Sequence, residues 1–114
     1  MIDNLQDAVK MVVELSATRD AFTIPNRNEA VMFIVTEVGE LFDAILREDD
    51  RWVRNSQREQ KFEKELADVV FMCLLAAIAS KIDIDKVVRE QLVKRTIKHA
   101  PELEHDVRYI LGVK

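Results

Sequence analysis

A chain of 114 residues, 48% hydrophobic and 33% charged, is long enough for one domain core and too short for two, so residues 1–114 read as a single domain. A net charge of −4 gives no general electrostatic attraction to nucleic acid or an anionic membrane, and one cysteine, Cys73, excludes an intrachain disulfide. Two glycines, two prolines and no β-branched alternation argue against a sheet and for an all-α fold with short connections.

The first ten residues carry Asp3 and Asp7 and no apolar targeting core, which points to a cytoplasmic chain. A first helix is expected from about Leu5 to Arg19, with Leu5, Ala8, Val12 and Leu15 at helical spacing and Met11 alongside. Phe22 to Pro25 form a connection, and Asn26 can cap a second helix, Arg27 to Glu48. Residues 49–55 read as a charged loop. Ser56 and Glu59 then have the spacing of a capping box, opening a third helix from Gln57 to about Ser80. Asp83 is placed to cap a fourth helix, Ile84 to about Lys98, which Pro101 closes. Leu103 to Leu111 can add a short terminal helix. Two long and two shorter helices make a four-helix bundle.

The third helix is the most informative. From Leu66 to Ala79 it is apolar on every side except at Asp68, too short to span a bilayer. A helix on the surface of a monomer needs only one apolar stripe. All-round apolarity calls for more cover than three other helices supply, and a second subunit is the simplest source. A homo-oligomer is therefore expected, and Cys73 within the run is expected to be a small buried residue rather than a nucleophile.

An ionised carboxylate such as Asp68 in this setting is costly unless it is paired or binds a metal. Glu65 precedes it by three residues, and Glu37 and Glu40 have the same spacing on the second helix. The chain has three such acidic pairs, counting Glu40/Asp43, where chance would give about four, so the spacing alone selects nothing. Position does. At 100° per residue, Phe33, Glu37, Glu40 and Ala44 form a stripe bordering the apolar face of Ile34, Val38, Leu41 and Ile45. Lys61, Glu65, Asp68 and Met72 form an equivalent stripe on the third helix. Antiparallel packing through these faces would gather four carboxylates. The alternative is a solvated acidic edge, which suits Glu37 and Glu40 better than it suits Asp68.

All-carboxylate ligands favour a hard cation, Mg2+ or Mn2+. His99 and His105 lie in the tail, against a di-iron or zinc site. Mg2+ is usually shared with substrate phosphates, so a phosphate ester or anhydride is expected as substrate. Without a glycine-rich cradle, phosphate charge must be met by metal and by cations such as Lys94, Arg95 and Lys98. Phe33, Phe22 or Trp52 could stack on a base.

Glu37-Val38-Gly39-Glu40-Leu41 followed by Glu65-Leu66-Ala67-Asp68-Val69 resembles the E-x-x-E…E-x-x-D pattern of the all-α nucleoside triphosphate pyrophosphohydrolases, the MazG-like enzymes and their relatives. Lys81-Ile82-Asp83-Ile84-Asp85 is similar to the turn that the MazG branch places before its last core helix. The match covers about Asn28 to Lys98. Thr36 and Ala67 depart from residues common in the pattern, and the Lys94–His99 stretch lacks the usual Asn. The resemblance implies a dimerising helical bundle, Mg2+ held by Glu37, Glu40, Glu65 and Asp68, and cleavage of the α–β anhydride to a nucleoside monophosphate and pyrophosphate. Two other readings stand beside it: a non-catalytic dimeric interaction module that kept the fold, and a phosphoribosyl-ATP pyrophosphohydrolase.

Overall fold

The computed structural model describes residues 3–18, 24–48 and 62–114. Among these residues all regular structure is helical: α1 (Leu5–Ala17), α2 (Arg27–Glu48), α3 (Phe62–Ala79), α4 (Ile84–His99), a 3-10 turn (Pro101–Leu103) and α5 (Glu104–Leu111). The capping box at Ser56 and Glu59, the charged loop at 49–55 and the aromatic candidates Phe22 and Trp52 lie outside the described residues, as does Lys61. The described chain divides into two compact units, one ending at Lys81 and the other Ile82–Lys114.

Local chemistry sets the helix ends of the first unit. Asn4 Oδ1 accepts from Gln6 N at 2.8 Å and Asp7 N at 3.2 Å, covering two donors that have no partner within α1. At the start of α2, Asn26 Oδ1 accepts from Glu29 N at 2.9 Å, and Glu29 returns the bond from Asn26 N at 3.1 Å. The expected cap is thus one half of a reciprocal capping box. Lys81, at φ 57°, ends α3 in the left-handed region, with its N–H donating to Ile78 O.

Packing in this unit is dominated by α2 against α3, with α1 laid on α3. The core gathers Val9 and Val13 of α1, Ile34 of α2, and Phe71, Met72 and Leu75 of α3. Along α2, Ala30, Ile34, Glu37, Leu41 and Ala44 form one covered line, spaced four, three, four and three residues apart, with Glu40, Asp43 and Leu46 half-buried beside it. The alanines at both ends of this line are fully buried. On α3 the matching line is Glu65, Asp68, Met72 and Leu75.

Two expectations about α3 need correction. Cys73 is exposed rather than buried. The buried carboxylate is Glu65, at 2% exposure, whereas the Asp68 side chain is 39% exposed. Apolar sequence neighbours on a helix point elsewhere, and they did not enclose Asp68.

In the second unit, Asp83 accepts from Lys86 N at 3.2 Å, as its position before α4 suggested. Ala100 leaves the helical region ahead of Pro101, which ends α4. Arg89 donates to Asp85 within α4 and, through Nη1, to Leu111 O at 2.7 Å, which ties the end of α5 to α4. Gly112 closes α5 at φ 67°, with Val113 N donating back to Arg108 O. No described helix is long and apolar enough to cross a membrane.

Candidate metal centre

Glu37 of α2 and Glu65 and Asp68 of α3 each offer a carboxylate oxygen, and these oxygens lie within 4.8 Å of one another. The two helices reach this arrangement because Glu37 lies on the covered line of α2, and Glu65 and Asp68 lie on that of α3. Proximity of acids is common and by itself says little. What sets this cluster apart is that Glu37 Oε2 and Glu65 Oε2 are both buried and neither has a hydrogen-bond partner. Orphaned, buried carboxylate oxygens cost a few kcal/mol each in a folded protein. A hard divalent cation would satisfy both, and an all-carboxylate set is the donor chemistry such an ion prefers. The residues present therefore fit a metal.

Electrostatics carry the same sign. Burial pushes the Glu37 carboxyl above its ordinary range, the neighbouring Glu40 pushes it further by charge and hydrogen bonding, and Asp68 and Glu65 add to this. Glu40, one turn along α2, stands beside Glu37 but outside the 4.8 Å set. Among the described residues, Lys64 is a cation that answers the cluster: its Nζ is 3.2 Å from Asp68 Oδ2 and 3.6 Å from Glu65 Oε1. It had no part in the sequence reading, although its four-residue spacing from Asp68 was there to be read.

A family model described as the MazG nucleotide pyrophosphohydrolase domain matches residues 26–103. The chain belongs to the MazG nucleotide pyrophosphohydrolase family. Comparison with curated proteins and with solved structures finds no match. The MazG span takes in α2, α3, α4 and the 3-10 turn, and with them Glu37, Glu40, Glu65 and Asp68. It leaves out α1, whose Val9 and Val13 join Ile34, Phe71, Met72 and Leu75 in the core, and α5. Phe33 is exposed on α2, one turn before Glu37. Lys94, Arg95 and Lys98 are exposed on α4, in the second unit of the MazG chain.

Proposed function

We propose that this chain is a Mg2+-dependent nucleoside triphosphate pyrophosphohydrolase, with Mn2+ as a possible substitute. It breaks the α–β phosphoanhydride of ribo- or deoxyribonucleoside triphosphates, releasing a nucleoside monophosphate and pyrophosphate. Residues 1–114 act as one domain, assembled as a homodimer or dimer of dimers, and the enzyme cleanses the cytoplasmic nucleotide pool. The observation that carries this reading is the pair of buried, unpartnered oxygens on Glu37 and Glu65, in an acid cluster inside the MazG span.

In this reading Glu37, Glu40, Glu65 and Asp68 hold the metal. The ion, when bound, supplies charge neutralisation of the phosphates and acidifies water. Attack of water on a phosphorus of the α–β bridge breaks one P–O bond, and the bridging oxygen leaves with one product. The proton of that water passes to a carboxylate, Glu37 or Glu40. Phe33 offers its ring to the base. Lys61, Lys94, Arg95 and Lys98 supply cationic charge to the triphosphate.

The test is a panel of ribo- and deoxyribonucleoside triphosphates with Mg2+ or Mn2+, assayed separately for pyrophosphate and orthophosphate. Pyrophosphate with a monophosphate product is expected. Orthophosphate release would place the cut at another bond. Absence of hydrolysis across the panel would favour the non-catalytic module.

A further inference from the structure

Lys64 poses a question that the hydrolytic scheme leaves open. Its side chain is 69% exposed, yet its ammonium contacts two of the three clustered carboxylates, Asp68 at 3.2 Å and Glu65 at 3.6 Å. Such an exposed i, i+4 pair adds little to stability. Its effect on the cluster is larger than its effect on the fold, because it is a cation resting on oxygens that a metal would need.

The geometry also shows what Lys64 does not satisfy. It approaches Glu65 through Oε1, leaving Glu65 Oε2 orphaned, and Glu37 Oε2 is orphaned as well. One ammonium therefore covers the open side of the cluster and leaves its buried side unanswered. A divalent cation drawn to the buried oxygens would share Asp68 with that ammonium. Two cations on one carboxylate repel, and the more mobile of them is the exposed lysine on its flexible four-carbon stem.

We propose that Lys64 is a resident counter-cation of the acid cluster: its ammonium occupies Asp68 until a divalent cation displaces it, and it then binds the triphosphate of the substrate. The inference rests on the metal centre of the proposed function. It predicts two effects of opposite sign. Lys64 weakens metal binding, because it must be moved aside, and it strengthens nucleotide binding, because it is then free beside the phosphates.

The experiment compares the full chain with Lys64→Gln and Lys64→Arg, starting with Mn2+ titration by calorimetry in the absence of nucleotide. An unaltered chain that binds no Mn2+ would overturn the metal centre itself, before any variant is compared. Given binding, Lys64→Gln should hold Mn2+ about threefold or more tighter at low ionic strength, with the gap narrowing in high salt. Lys64→Arg keeps the charge and should bind like the unaltered chain. With nucleoside triphosphate and saturating metal, Lys64→Gln should raise KM about threefold or more with a smaller change in kcat, the signature of a lost binding contact. Metal affinity that is unchanged or weaker in Lys64→Gln would overturn the displacement. Tighter metal binding with an unchanged KM would overturn the role at the phosphates.

Discussion

Glu65 is the residue on which the site depends most, being a charged side chain at 2% exposure with one oxygen unpartnered. Changing it to Gln, or Asp68 to Asn, keeps the shape and removes the charge of a proposed ligand. Each should lower turnover at least about a hundredfold, or roughly 2.7 kcal/mol of barrier. The fold should persist, because relief of acid–acid repulsion offsets the lost pairing with Lys64. The check is steady-state kinetics together with the Mg2+-induced rise in melting temperature, which should shrink in both variants. Glu37 makes a separate prediction through pH. Its folded-state affinity for a proton is raised from the ordinary value of 4.5. Between 4.5 and the raised value the native state binds more protons than the unfolded chain, so this group's contribution to stability falls as pH rises. Below 4.5 the penalty is absent, and above the raised value it is complete. With a chelator present, Glu37→Gln should therefore gain stability over the unaltered chain as pH is raised through that window. Saturating Mg2+ should reverse the order, since the variant lacks a proposed ligand. Parallel melting curves for the two proteins at every pH would contradict the assignment.

At the scale of the helices, the chain shows both a well-made start and a strained stop. The Asn26–Glu29 box satisfies donors at the head of α2, the helix that carries Glu37. The stop of α3 is less favourable, because Lys81 adopts φ 57° with a side chain that penalises that region. Glycine would remove the steric cost and add some unfolded-state entropy. Lys81→Gly should therefore stabilise the protein by about 0.5–1 kcal/mol, read as a higher denaturant midpoint at constant slope. A lower midpoint would mean that the Lys81 side chain makes a contribution larger than its backbone strain.

For the whole molecule, the exposed apolar surface calls for explanation. Phe62, Leu66 and Val70 of α3 are 40%, 42% and 43% exposed, beside a groove that they line with Leu5 and Val9 of α1. On α2, Met32 and Val35 are each 69% exposed. A chain this size leaves such a surface open at the cost of solubility unless another copy covers it. Light scattering at micromolar concentration should give at least twice the 13.2 kDa of one chain. Val70→Lys should lower that mass while keeping the helical signal. Leu74→Lys is a different experiment, because Leu74 is only 8% exposed within the single chain. An unpaired ammonium there should cost about 3–5 kcal/mol and unfold the chain whatever its assembly. A mass of 13.2 kDa for the unaltered protein at that concentration would defeat the proposed oligomer.

How much could be read beforehand divides along a physical line. The helical spans from Leu5, Arg27 and Ile84, the caps at Asn26 and Asp83, and the acid pairs on two helix stripes were all legible in the sequence. Each depends on residues within a few positions of one another and on the fixed 100° step of the helix. The reciprocal bond from Glu29 was equally local and could have been read as a capping box. Which carboxylate is buried was not legible, because Glu65 and Asp68 lie on the same stripe and differ only in what α1 and α2 cover. The same holds for Cys73, whose apolar neighbours along the helix point in other directions. Lys64 acquires meaning only when Glu37 arrives from another helix and turns an ordinary i, i+4 pair into the edge of a three-carboxylate cluster. Periodicity is a property of one helix, whereas burial and charge crowding are set by which face of that helix meets the others, and only the tertiary structure makes that choice.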